Sequence, residues 1–406
     1  MCLFYLYKDS FLNTFRFSNT MKKCFKITAK AKNSKARAGL LTINKKKAET
    51  PFFMPVATKA VGKFIGPADY NRIGIKTMIS NSLLLFLNPG LEHFRKSKGI
   101  HEFMGYKNIL FTDSGGFQMI RNGFFLKRSK RAVHFKDPAT RQTHVMTPEK
   151  VMDTALIIKP DVAMVLDDLA PANANYEQAK FSMENTHRWA KKAIDYHESK
   201  DPEHKQKVFG ISQGCFFEDL RKESAKYINS LNFDGIAIGG VAVGETRKEM
   251  LMAVKAAQSE IDEDKIKYVM GVGNPLDIIN LVDLGCDCFD SIYPTQNARH
   301  GTLFTFEGKI DILKGPNKFS KEPVDKTCDC ELCKNHSRSY INYLLKNKNP
   351  EGKRLASIHN LTFMKRFMQG IRDAIENNKW NSFKKKILKA YPYRTESAGT
   401  QVCTLK

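Results

Sequence analysis

Three cysteines crowd into six residues, Cys328-Asp329-Cys330-x-x-Cys333. Thiolates this close suit a tetrahedral zinc ion, which takes one further ligand. Two histidines compete for that place: His336, three residues past Cys333, and His359, in a SIHNLTF stretch that reads as the start of a helix. Four protein ligands leave no open position, so the expected role of the metal is structural. The plain alternative is three unrelated buried cysteines.

Carboxylates beside glycines and amides form the second constellation. TDSGGFQ (112–118) sets Asp113 and Ser114 before a glycine pair, and paired glycines let backbone approach a ligand closely. LDDLAP (166–171) carries Asp167 and Asp168; one is expected to face a pocket and the other to cap the following segment. A carboxylate can accept from the N1–H and amino group of a guanine. GISQG (210–214) and IGGVAVGE (238–245) add Gln213, Gly239 and Gly240, donors suited to a purine carbonyl. In CFDSIYPTQNARHG (288–301), Asp290 precedes a proline-containing loop with Arg299 and His300, an arrangement that makes sense if the loop holds phosphate while the acid attacks a sugar carbon. Each stretch also has a plain reading, as turn chemistry, a helix cap or a salt-bridged loop. Their number and order carry the case.

The elements that must position these residues alternate. Short apolar runs end at 113, 168, 214, 240, 273 and 290, and amphipathic stretches separate them. Among these are a run over about 176–199, a helix opening at Thr147-Pro148-Glu149, one near Glu245 and one at Pro275. This pattern predicts parallel strands buried on both faces, in an open doubly wound sheet or a closed barrel. No GxGxxG follows a first strand, which removes the dinucleotide-binding version. Strand after strand ends in a polar residue. A closed barrel brings those ends to one mouth, whereas an open sheet spreads them along an edge. The expected fold is therefore an α/β barrel. FKITAKAKNSKARAGLLTI reads as an antiparallel hairpin decorating its N-terminal side. The expected division is an extension over 1–20 (or a start placed upstream of Met21), a barrel over 21–310, a zinc-binding subdomain over 311–365, and C-terminal helices and tail over 366–406.

Composition sets the class of partner. Sixty-six basic residues against 42 acidic ones leave a formal charge of +24, the footprint of a phosphate-rich partner. Basic runs such as KRSKRAVHFK (127–136) and NNKWNSFKKKILK (377–389) read as diffuse attraction to such a backbone. Nine cysteines, an odd number, in a chain of 406 residues argue for a reducing compartment and against a disulfide framework. No apolar run approaches the about 18 residues that span a bilayer.

Taken together, FTDSGGFQ, FGISQG, AIGGVAVGE, YVMGVG, FDSIYPT, C-x-C-x2-C and IHN resemble the tRNA-guanine transglycosylase (queuine tRNA-ribosyltransferase) family, its bacterial-type branch in particular, over residues 25–393. The resemblance implies a (β/α)8 TIM barrel with a zinc-binding insertion, a cytoplasmic homodimer, and exchange of a guanine in the tRNA anticodon for a free 7-deazaguanine base. By position it implies Asp290 as nucleophile and Asp113 as general acid/base. Ser114, Asp167, Gln213, Gly239, Gly240 and Met270 fall around the base, and Arg299 on the anticodon loop. Cys328, Cys330, Cys333 and His359 become the zinc ligands, which decides against His336. Two positions depart from the family pattern. Gln296 stands where an arginine usually follows Pro-Thr, and Asp168-Leu169 stands where bacterial members carry Glu-Cys. The rivals are a non-catalytic RNA-binding subunit of the same fold, which would lose the barrel-mouth acids, a DNA-modifying relative, and a barrel enzyme acting on a phosphosugar.

Overall fold

A computed structural model describes residues 23–120, 123–171 and 173–392; the proposed extension over 1–20 lies outside them. Eight short strands form the central sheet: β1 (Phe52–Met54), β2 (Thr77–Asn81), β3 (Ile109–Asp113), β4 (Val162–Met164), β5 (Lys207–Ser212), β6 (Gly235–Ile238), β7 (Ile266–Val269) and β8 (Cys288–Asp290). Their residues are almost all buried, as parallel strands covered on both faces require. Neighbours in the sheet follow chain order from β2 to β8, and β8 then pairs in parallel with β1. The last seam closes just beyond β1. Ala57 N donates to Ile79 O at 2.8 Å and Ile79 N to Pro55 O at 3.1 Å. The expected closed barrel is therefore present, and Phe111 packs edge-on against Phe52, Phe209 and Tyr268 in its interior.

The helices begin where the sequence places start signals. They include α1 (Pro67–Ile73), α2 (Pro148–Ile158), α3 (Tyr176–Lys200), α4 (Glu218–Ser230), α5 (Arg247–Gln258), α6 (Pro275–Asp283), α7 (Tyr293–Arg299), α8 (Pro350–Glu376) and α9 (Trp380–Ala390). The Thr147 hydroxyl accepts from Lys150 N at 3.2 Å, capping α2 ahead of Pro148. α5 opens two residues later than expected. Thr246 and Glu249 form its capping box, while the Glu245 carboxylate turns back to accept from Val243 N at 2.9 Å. Residues 293–299 are helical and not a loop, with Pro294 in the first turn. His359 lies mid-helix and not at a helix start, because Asn349 caps α8 ahead of Pro350.

The predicted N-terminal hairpin pairs Phe25–Lys30 with Arg37–Ile43 and gains a third strand, Lys46–Thr50. It sits at the end of the barrel where the strands begin. There the buried Arg37 guanidinium grips Asp287 through Nε–Oδ1 at 2.8 Å and Nη2–Oδ2 at 2.5 Å. A second antiparallel sheet, Phe125–Arg128, Val133–Lys136 and Thr143–Met146, is inserted between β3 and α2. From sequence this stretch carries only its basic charge as a signal.

Candidate active site

The strand-end residues singled out from sequence lie together at the barrel mouth. Asp113 and Asp290 are the last residues of β3 and β8, Asp167 lies three residues past β4, and Gln213 directly follows β5. Gly239 and Gly240 follow β6, and Met270 and Gly271 follow β7. Asp113 feels both other acids. Burial foremost, then the charges of Asp290 and Asp167, push its carboxyl up to about 8. Its Oδ2 accepts from Asn81 Nδ2 at 3.1 Å, and its buried Oδ1 has no hydrogen-bond partner among the described residues. A buried polar atom without a partner is what a site awaiting a ligand's donor shows.

Asp290 is held on one oxygen. Oδ1 accepts from the Tyr268 hydroxyl at 2.5 Å and from Gly271 N at 2.8 Å, while Oδ2 takes no hydrogen bond from the described residues. Burial raises its pKa, and the Gly271 and Tyr268 bonds oppose that rise. One carboxylate oxygen is thus held in place, and the other has no hydrogen-bond partner among the described residues.

Asp167 accepts from Gln213 Nε2 at 2.7 Å, and burial pushes its carboxyl up to about 6. The wall here leaves no room for side chains. A Cβ on Gly116 would lie 2.9 Å from Asp167 Oδ1, and one on Gly239 would lie 2.8 Å from Gln213 Nε2. The two glycine carbonyls after β6 are fixed from behind. The fully buried Arg221 donates from Nη1 to Gly239 O at 2.6 Å and from Nη2 to Gly240 O at 2.9 Å. Ser114 is buried beside Asp113, and its hydroxyl accepts from Gly116 N at 3.2 Å, which stabilises the glycine turn.

The second carboxylate of the Asp-Asp pair goes elsewhere. Asp168 accepts from Arg128 Nη1 at 2.5 Å and from Asn185 Nδ2 at 2.8 Å, facing α3 and the inserted sheet. Arg299 is also apart from the pocket acids, half-buried on α7 beside Tyr70 of α1. Gln296 lies one turn before it on the same helix.

Cys328, Cys330, Cys333 and His359 converge, their ligand atoms all within 4.8 Å of one another. His359 Nδ1 lies 3.5 Å from Cys330 Sγ and 3.3 Å from Cys333 Sγ. A tetrahedral zinc with ordinary Zn–S and Zn–N bonds sets that edge near about 3.6 Å, so the donor set fits the ion. His359 Nε2 is 2.9 Å from Phe304 O, which can only accept; the proton is therefore on Nε2 and Nδ1 is free to ligate. His336 instead stacks on Tyr340 at 4.6 Å. The next residue after His359, Asn360, extends this anchoring to the segment after β8. It donates to Pro294 O at 2.9 Å and to Thr302 O at 3.0 Å, and it accepts from Phe304 N at 2.9 Å.

Sequence reasoning missed Asn81, Tyr268, Arg221 and Asn360. Asn81 and Tyr268 are embedded in apolar strand runs, Arg221 reads as one charge of an amphipathic helix, and Asn360 is the unassigned third letter of IHN. Of the four, Asn81 alone carries a sequence signal, as an amide at the end of the strand-like TMIS run.

The family model described as queuine tRNA-ribosyltransferase matches residues 32–393. A queuine tRNA-ribosyltransferase of Thermoanaerobacter sp. (strain X514) is 39% identical over 372 residues, covering 92% of this chain and 98% of the relative. One from Thermotoga neapolitana is 40% identical over 362 residues, 89% of this chain and 97% of the relative. One from Francisella tularensis subsp. holarctica is 38% identical over 360 residues, again 89% and 97%. No helix among the described residues is long and apolar enough to cross a membrane. The chain belongs to the queuine tRNA-ribosyltransferase family, a family of tRNA-guanine transglycosylases.

Proposed function

We propose that this chain exchanges the guanine at the anticodon wobble position of tRNA for a free 7-deazaguanine, queuine or a precursor such as preQ1, by double displacement. The observation that carries this reading is the convergence of three acids with different holdings: Asp290 with one free oxygen, Asp113 with one unpartnered oxygen, and Asp167 braced by Gln213.

Asp167, with Gln213 and the glycine turns, holds the purine and leaves its sugar facing Asp290. Oδ2 of Asp290 bonds to ribose C1′ as the C1′–N9 bond breaks, and its Oδ1 keeps the hydrogen bonds from Tyr268 and Gly271. Asp113, protonated at neutral pH, gives its proton to N9 of the departing guanine. The incoming base returns a proton to Asp113 as its N9 attacks C1′ and expels Asp290. Two inversions restore the β-configuration, and the charge count is unchanged, by analogy with retaining glycoside hydrolysis. The target base leaves its stack for the pocket, which costs least in a single-stranded loop.

Zinc held by Cys328, Cys330, Cys333 and His359 would tie α8 to the segment after β8, a structural service outside the reaction. Arg299 on α7 and Met270 beside the glycine turn are assigned to the anticodon loop and the base. A homodimer in the cytoplasm, with domain limits as set out from the sequence, completes the reading. The test is Asp290→Asn: it should abolish exchange of labelled guanine into tRNA and the trapping of a covalent enzyme–RNA adduct. Wild-type turnover by that variant would remove Asp290 as nucleophile.

A further inference from the structure

The sheet inserted between β3 and α2 projects from the strand end that carries Asp113, so it belongs to the mouth side of the barrel. It is firmly attached. Val133, Phe135 and Met146 are buried under it, and Phe135 stacks on His144 at 5.3 Å, which in turn meets Phe86 edge-on at 5.6 Å. Arg128 is pinned to Asp168 at 2.5 Å, and the hairpin loop is pinned by Trp189 Nε1, which donates to Lys130 O at 3.1 Å.

The outward face is different. Lys127 pairs across the strands with His134, and Lys136 with Thr143. Lys130 and Arg131 stand exposed in one loop and Arg141 in the other. Residues 123–146 hold six Lys or Arg against a single acid, Asp137. That acid is consumed locally, accepting from Ala139 N at 2.9 Å and from the Thr140 hydroxyl at 2.7 Å. Arg128 has Asp168; Lys127, Lys130, Arg131, Lys136 and Arg141 have no ion pair among the described residues. Like charges gathered on a rigid sheet repel one another, and only an external anion relieves that cost.

We infer that this inserted sheet is a phosphate-binding arm that takes the RNA backbone on the side of the pocket away from Arg299. In the barrel, β3, which precedes the sheet, and β8, which precedes Arg299, are three strands apart, so the sheet and α7 flank the mouth on different sides. The inference rests on RNA being the substrate, and it adds a second binding surface to the one expected on α7. Arg128 is the arm's positioning residue, since it alone among these cations is bonded to the barrel.

The test compares two triple variants: Lys127→Gln/Arg131→Gln/Lys136→Gln on the arm, and Lys192→Gln/Lys226→Gln/Lys255→Gln on α3, α4 and α5. Equilibrium binding of full-length tRNA is measured between 50 and 200 mM KCl, with melting curves confirming that both variants fold. Each phosphate that the arm no longer neutralises should lower the slope of log K against log salt by about 0.7–0.9, so the arm variant should lose about two units of slope and at least about tenfold in affinity. Its KM for the free base should not move. An equal loss in the outer-helix variant would mean that the attraction is diffuse, and no loss in the arm variant would mean that the arm does not touch RNA; either overturns the inference. Wild-type protein that binds tRNA yet exchanges no base would instead overturn the functional reading, and the slope comparison would still decide the arm.

Discussion

The Tyr268 hydroxyl and the Asp290 carboxylate are joined by a 2.5 Å hydrogen bond from adjacent strands, β7 and β8, inside the barrel mouth. A bond from a buried phenol to a carboxylate fixes the rotamer of the acid and steadies its charge. Tyr268→Phe should reduce kcat for base exchange about 10- to 100-fold, the worth of one hydrogen bond to a charged group, and leave KM for the free base near wild type. Because this bond opposes the upward shift of Asp290, its loss should also move the acid limb of the rate profile to higher pH. An unmoved limb would show that Tyr268 only packs.

Under the proposed double displacement, Asp113 and Asp290 together should set a bell-shaped profile. That mechanism needs Asp290 ionised and Asp113 protonated, so the rate should fall on the alkaline side near pH 8, where Asp113 loses its proton. Stability follows the same group. Its folded pKa of about 8 lies above the usual 3.8, so the unfolded chain releases this proton first as pH rises. The stabilisation it contributes is therefore present below about pH 4 and is lost progressively up to about pH 8. Asp113→Asn should melt higher than wild type at pH 8.5 while exchanging base at least about 100-fold more slowly. Thermal scans at pH 5 and 8.5 check the sign.

Asp168 depends on Arg128. Arg128→Met leaves a buried carboxylate without its cation and should cost about 3–5 kcal/mol by urea unfolding. Adding Asp168→Asn removes the stranded charge, so the double variant should recover most of that loss. If the double variant is as unstable as Arg128→Met, the ion pair is not what Arg128 contributes.

The metal site separates the two histidines. Elemental analysis should find about one zinc per chain. His359→Ala should lose the metal and unfold at lower denaturant than His336→Ala, which removes only a ring stacked on Tyr340. The reverse order would exchange their roles.

Much of this site was legible before any coordinates. Asp113, Gln213, Gly240 and Asp290 each close an apolar run, and a parallel strand buried on both faces most readily places a carboxylate or amide at its end, where the barrel opens. The zinc cysteines were legible from spacing alone. From the residues alone Asp167 and Asp168 were legible only as a pair, because an irregular stretch past β4 has no period from which to read which carboxylate faces the pocket; the resemblance singled out Asp167. The inserted sheet was invisible: its strands are four residues each, and its buried face is only Val133, Phe135 and Met146. Arg221 looked like solvent-facing charge, and its burial behind the glycine turn depends on two loops of distant sequence.

The alternation of strands and helices, the acids at strand ends and the thiolate cluster are written into the chain itself. They follow from local rules, burial pattern, capping and ligand spacing, that act within about ten residues. Which atoms meet is a different matter: Asn81 on Asp113, Tyr268 on Asp290, Arg128 on Asp168, Asn360 on the segment after β8. Those pairs are set by the closure of eight strands and the packing of α8 against the segment after β8, geometry that no local stretch of chain encodes.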